Sequence, residues 1–596
     1  MTAVQAELPI RRRRPLTRGQ IVGWSFTLLL IAVLVYPIGT MVWRALAPDG
    51  AFDWDGVVET FTGYGLWDAA LNTVIIAIPA AFIATLIGAT FAWLNERTDA
   101  AFGPIARILP IFSMLFPSFA LAIGWLVVGD RTSGFLLGLI RLICSPFGIA
   151  VPALPMGIAS YPGVIFLYSV TLAPFVYVQC QAAFRQLDPS LEEMARVSGR
   201  GRFSTFFTVS LPSIRPALTM SLFIALLLGV GMYSIPAVVA TPGRITVLSV
   251  YIANLINGQY PPKIQQATVI GLCLMILILG IWLAVRASLK QGRYASVGGR
   301  GIRPNRITMG RWRPFFRVIM WAYIALAVFL PLMGLVVVSF EKYWTPDLIQ
   351  GGFGWQNLLL FTKVRGGGVA LIGTTLWIAV VSATIVVIVA GLVAIGSTGR
   401  TQKAYAVVAS VATKVPFAIP TIVIAVGVLT TFGFPPFHLN GTYWILLIAY
   451  FFSIPIASVA AEGAARQVGP ELIDAARVNG ASPMRSILRV NLPLMLSGLA
   501  GAWVITFAHV MGDLNMVPIL STATNRVAGT ALVDILGGGG SIIAAAQISI
   551  VIGLVTLVVV AAVTTLARPR FTGRIKRSRA ARAASSSSSR KGIAIS

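Results

Sequence analysis

Acidic residues are scarce in this chain: 19 Asp and Glu in 596 residues, against 46 Lys and Arg. Charged residues of both signs make up only 11%, while 57% of the chain is hydrophobic. So little charge excludes a soluble globule of this length and places the chain in a membrane. The mean hydropathy of +0.84 agrees. Cysteine is nearly absent too. Cys144, Cys180 and Cys273 stand far apart, with neither a disulfide framework nor metal-ligand spacing. The two histidines, His438 and His509, are too few and too distant for a metal cluster. No metal site and no cofactor is expected. Also missing is a G-x-x-x-x-G-K-[ST] phosphate loop; Gly396-Ser-Thr-Gly399-Arg lacks both the lysine and the spacing. No zinc motif, nucleophile elbow or hydrolase-like carboxylate pair occurs. The chain reads as non-catalytic.

The net charge of +27 raises the possibility of nucleic-acid binding. The distribution argues against it, because the basic residues cluster between apolar runs and at the two ends. Candidate spans of about 20 apolar residues fall near 21–43, 71–94, 106–128, 163–183, 217–240, 266–287, 315–338, 370–396, 407–430, 442–464, 495–516 and 544–566. The 134–160 stretch adds a partial or re-entrant segment. Period-2 alternation is missing from these runs, which excludes a β-barrel. The expected fold is therefore an all-α integral membrane protein of about twelve helices.

Charge sets the expected orientation. Arg11–Arg14 precede the first span, and its length and lack of a small-x-small site make it a retained helix rather than a signal peptide. The segment after it carries Asp49, Asp53, Asp55 and Glu59. The 286–317 stretch and the tail after Ala567 are rich in Lys and Arg. The positive-inside rule then puts both termini in the cytoplasm. The expected organisation is a basic tail (1–20), a first half (21–287), a Gly- and Arg-rich linker (288–313), a second half (314–567) and a basic Ser/Ala-rich disordered tail (568–596) that meets membrane lipid.

The most informative feature is an internal repeat. Arg185-Gln-Leu-Asp-Pro-Ser-Leu-Glu-Glu-Met-Ala-Arg-Val-Ser-Gly199 returns as Arg466-Gln-Val-Gly-Pro-Glu-Leu-Ile-Asp-Ala-Ala-Arg-Val-Asn-Gly480. The offset is 480 − 199 = 281, and it also carries Leu211-Pro212 onto Leu492-Pro493. Each copy predicts a short helix, a turn and a second short helix on the cytoplasmic side. Asp188 and Pro189 suit the start of the first copy, and Pro470 that of the second. Gly199 and Gly480 suit left-handed helix ends. Arg196 and Arg477 sit in the last turn, where the helix dipole favours them. Ser482-Pro483 restarts a helix in the second copy.

Glu193-Met-Ala195, Gly199 and Leu211-Pro212 resemble the EAA loop of binding-protein-dependent ABC importer permeases, and Asp474-Ala-Ala476, Gly480 and Leu492-Pro493 resemble it again. Met194 departs from the usual alanine and Asp474 from the usual glutamate; the negative charge and the glycine are kept. The resemblance runs from about 21 to 567. It implies two parallel-repeat six-helix halves of the type I importer fold, fused in one chain. It further implies that Glu193, Ala195, Gly199, Leu211, Pro212, Asp474, Ala476, Gly480, Leu492 and Pro493 form coupling loops for a cytoplasmic ATPase dimer. A periplasmic or lipid-anchored solute-binding protein would deliver the cargo, in a bacterial inner membrane. No nucleic acid and no second permease subunit are called for.

Polar groups within the spans are candidate pathway residues, because they are costly in lipid. Asp513 and Asn515 stand out in the eleventh span, with Tyr233 and Ser234 in the matching region of the first half, which has no acid. Glu462 is read as an interfacial residue beside the second loop. Among fused permeases the pattern is most similar to ferric-iron importers, with thiamine, polyamine and 2-aminoethylphosphonate permeases as relatives. An ion-coupled secondary transporter is the alternative class, since such proteins also have repeated halves; the twin loops argue against it.

Overall fold

In the computed structural model, residues 18–101, 113–114, 116–290, 307–345, 352–396, 403–468 and 470–567 are described. The basic stretch before Arg18, most of the linker and the tail after Ala567 lie outside them. Among the described residues the regular secondary structure is helical, apart from one isolated bridge between Thr98 and Ile307.

The first half comprises α1 (Arg18–Leu46), α2 (Leu66–Arg97), α3 (Ser118–Gly129), α4 (Tyr161–Gln186), the short α5 (Pro189–Val197), α6 (Arg215–Gly231) and α7 (Ile264–Lys290). The second repeats the order with α8 (Gly310–Ser339), α9 (Gly368–Gly396), α10 (Thr421–Phe432), α11 (Ile454–Gln467), the short α12 (Pro470–Val478), α13 (Leu492–Met511) and α14 (Ile542–Leu566). Among the described residues eight helices are long and apolar enough to cross a membrane, or eleven if three bent pairs each count as one span. That is fewer than twelve. The span expected at 106–128 is represented by α3, which has 12 residues, and residues 102–112 lie outside the description. The fifth and eleventh spans also end early, at Gly231 and Met511 rather than 240 and 516. The 134–160 stretch forms a short helix, Phe135–Cys144, and a turn.

Within each half, three helices pack together: α2, α4 and α6 in the first, α9, α11 and α13 in the second. The first helix of each half leaves this group. It packs on the other half, α1 against α10 and α8 against α3. Small residues permit these crossings. A Cβ on Gly124 of α3 would lie 2.3 Å from the Pro331 carbonyl oxygen of α8. Gly427 of α10 receives α1 in the same manner, with Met41 Sδ 2.7 Å and Pro37 Cβ 3.8 Å from a built Cβ. Exposed Leu28, Leu29, Leu86, Ile276 and Leu277 cover the lipid-facing sides.

Candidate functional site

The two repeated loops fold alike. In the first, Asp188 Oδ1 accepts the Ser190 N–H at 3.0 Å, and Pro189 opens α5. The backbone bond at Ser190 holds the Asp188 carboxyl below the usual carboxylate range. The helix ends at Gly199, with φ +80°, and the Arg200 N–H reaches back to the Ala195 carbonyl at 3.1 Å. In the second, Gly480 has φ +78° and the Ala481 N–H reaches the Ala476 carbonyl at 3.0 Å. This six-to-one bond closes a helix through a left-handed residue, and glycine takes that conformation without a Cβ penalty. Ser482 Oγ then accepts the Arg485 N–H at 3.3 Å as the next helix starts.

A further matched feature was not anticipated from sequence. Phe206–Ser210 and Ile487–Asn491 are single π turns, again 281 residues apart. Leu211 donates to the Phe206 carbonyl and Leu492 to that of Ile487. Pro212 and Pro493 lack an N–H, so the regular ladder cannot continue through them, and the wider turn absorbs the mismatch. The signal was present in the paired Leu-Pro.

On α5, Glu193, Met194 and Val197 are exposed while Ala195 is buried. On α12, Leu472, Ala475 and Val478 are exposed and Ala476 is half-buried. Leu211, Pro212 and Leu492 are half-buried and Pro493 is exposed. The side chains of Arg196, Arg466, Asp474 and Arg477 lie outside the described residues. Glu462 pairs with Lys414 at 3.0 Å in the second half of α11.

The four pathway candidates meet at the centre, where α6 and α13 both break. Asn515 Oδ1 accepts the Tyr233 N–H at 3.0 Å and the Ser234 N–H at 3.2 Å. Ser234 Oγ lies 2.8 Å from Ser118 Oγ at the start of α3. Asp513 and Asn515 were expected inside the eleventh span; both lie beyond the end of α13, in unwound chain. Asp513 is buried. It accepts the backbone N–H groups of Asn515 and Met516 and the Asn515 amide, each at 3.1 Å, and the Tyr450 hydroxyl at 3.4 Å. Its carboxylate thus satisfies backbone donors that the break would leave unpaired. A small cavity of about 10 Å³ beside it is lined by Asp513, Tyr450, Thr375 and Phe119. Among the described residues no His, Cys, Asp and Glu group has the makings of a metal site.

Residues 84–290 match the family described as binding-protein-dependent transport system inner membrane component. The ferric transport system permease protein FbpB of Actinobacillus pleuropneumoniae is 22% identical over 506 residues, 85% of this chain and 72% of its own. Two proteins named as probable ABC permeases also match. One, y4fN of Sinorhizobium fredii, is 24% identical over 86% of this chain and 89% of its own. The other, a molybdenum permease of Haloferax volcanii, is 25% identical over 47% of this chain and 96% of its own. Two solved structures of a bacterial alginate ABC importer align at 18% identity. Their TM-scores are 0.35 and 0.39, over 43% and 47% of this chain and 88% and 97% of theirs. The chain thus carries a binding-protein-dependent transport permease domain over residues 84–290, and its likeness to ABC permeases extends over most of its length. It is a multi-pass membrane protein and a non-catalytic transport component.

Proposed function

We propose that this chain forms the whole membrane pore of an importer, with α5 and α12 as the docking helices for two cytoplasmic ATPase subunits. The matched geometry of the two loops carries this reading. Each loop is a short helix that leaves apolar side chains uncovered, closed by a left-handed glycine and followed by a π turn into the next span. Val197 and Val478 occupy the same position and are 89% and 87% exposed. Apolar side chains so exposed on a polar loop are suited to a protein partner.

On this reading the halves are 21–287 and 314–567, and both termini are cytoplasmic. ATP draws the two ATPase subunits together and α5 and α12 with them. The motion passes through the π turns into α6 and α13, whose broken ends meet at the Asn515 contact. Separating those ends opens a path to the outside, where a solute-binding protein delivers cargo. Glu193 and Asp474 face basic groups of the ATPase.

Ferric iron is the first candidate cargo, supported by a ferric-transport relative that aligns across both halves. 2-Aminoethylphosphonate, thiamine and polyamines follow. Uptake of labelled ferric iron, compared with these solutes, in cells carrying the chain with its ATPase and binding protein decides among them. The docking reading is tested by Gly199→Asp with Gly480→Asp. The double variant inserts normally and loses the ATPase on co-purification; full retention of the ATPase overturns the reading.

A further inference from the structure

Glu192 and Glu193 are neighbours on α5 but meet different surroundings. Glu193 is exposed, whereas Glu192 is buried against Arg97, the last residue of α2. Arg97 Nε donates to Glu192 Oε1 at 3.2 Å, and Nη2 lies 3.1 Å from Oε2. Ser210 Oγ, at the end of the π turn, donates to the same Oε1 at 2.6 Å. The guanidinium and the carboxylate are both almost wholly buried. A charge pair in such a place holds geometry, because separating it strands two charges away from water.

The backbone of Arg97 makes a second attachment. Its carbonyl accepts the Ile307 N–H at 2.8 Å, and the Ile307 carbonyl accepts the Asp99 N–H at 3.1 Å. Asp99 Oδ1 accepts the Met309 N–H at 2.8 Å, and Arg317 of α8 donates to the Ala100 carbonyl at 3.2 Å. The chain leading into α8 is thereby fastened to the inner end of α2. Arg97 holds α5 by its side chain and the start of the second half by its carbonyl.

The equivalent positions of the second half carry other residues. The residue 281 positions after Glu192 is Ile473, which has no charge, and the one after Ser210 is Asn491. Asn491 Oδ1 is buried with no hydrogen-bond partner.

We propose that Arg97 is a positioning residue that fixes the first coupling helix to α2 and to the start of the second half, so that the two docking helices are mechanically unequal. α5 moves as one body with α2 and the lead-in to α8; among the described residues no such ion pair ties α12. The functional part of this proposal rests on the reading of α5 and α12 as ATPase docking helices.

The test uses the full chain in lipid nanodiscs, with Cys144, Cys180 and Cys273 replaced by alanine and a spin label at position 197 or 478. Glu192→Gln and Arg97→Gln each mobilise the label at 197 and leave that at 478 unchanged. Arg97→Lys, which keeps the charge, preserves the wild-type spectrum at 197. In the complete transporter, Glu192→Gln raises the ATP hydrolysed per solute moved by about fivefold or more, while the ATPase still co-purifies. The proposal is overturned if the label at 197 is unmoved, if both labels loosen equally, or if the coupling ratio is unchanged. Failure of the docking reading is separate: it shows as normal ATPase retention by the Gly199→Asp, Gly480→Asp protein, whatever the labels report.

Discussion

Asn515 accepts the backbone N–H of Ser234, the residue that stands 281 positions before it in the repeat. Equivalent positions of the two halves thus touch across the centre of the molecule. Close packing frames this contact on both sides. A Cβ on Gly231 would lie 2.9 Å from Pro420 Cβ, and one on Gly512 would lie 3.1 Å from Pro117 Cβ.

Replacing Asn515 with leucine removes the acceptor for two buried donors, the N–H groups of Tyr233 and Ser234. Each unsatisfied donor costs about 1–3 kcal/mol. Asn515→Leu lowers the melting temperature of the purified permease and its transport rate, and Asn515→Asp, which keeps an acceptor oxygen, retains more of both. Thermal melts of the three proteins side by side check this.

Gly124 and Gly427 give unequal results despite their matched places. An alanine Cβ at 124 meets the backbone of Pro331, which cannot move aside; at 427 it meets the flexible Met41 side chain. Gly124→Ala is the more destabilising by about 1–3 kcal/mol. Melts of the two single variants measure the difference. Equal losses would mean that the swapped helices do not seat on these glycines.

At Gly199 and Gly480 the space around a Cβ is open, so the cost of substitution is one of backbone alone. A left-handed L-residue costs about 1–2 kcal/mol. Valine at either position weakens ATPase association more than asparagine, which tolerates this conformation. Co-purification yields for the valine and asparagine variants report the order.

Glu341 lies two residues past the end of α8, fully buried, with neither carboxylate oxygen hydrogen-bonded. Burial pushes its carboxyl up to about 7, from 4.5. The folded state therefore keeps a proton that the unfolded chain releases above pH 4.5. Stability falls as pH rises through that window and levels off above pH 7. Glu341→Gln removes the slope, and its advantage over the wild type reaches at most about 3 kcal/mol at pH 8. Melting temperatures at pH 5, 6, 7 and 8 test it; parallel curves for the two proteins would refute it.

Much of this was legible in the residues. The apolar runs marked most of the long membrane helices, because lipid demands continuous stretches of one polarity, but they did not mark where helices break or fall short, as at Gly231 and in the 12 residues of α3. Gly199, Gly480 and the proline starts marked the loops, because these conformations depend on local backbone sterics. Asp188 and Ser482 cap as their positions implied. Asp513 was harder to read. Its sequence context did not separate a pathway acid from a helix-end cap, and its bonds to Asn515 and Met516 place it at a broken end.

Sequence by itself determined the membrane class, the repeat and the two loops. Each of these is written in composition or in spacing along one chain. Tertiary structure alone decided that α1 and α8 exchange places between halves, that Asn515 meets Ser234, and that Glu192 pairs with Arg97 while Glu193 stays free to face outward. Those facts depend on which surfaces meet after the chain has crossed the membrane many times. Neighbouring glutamates with the same local signal can end one buried and one exposed on the same short helix, and only the packing says which is which.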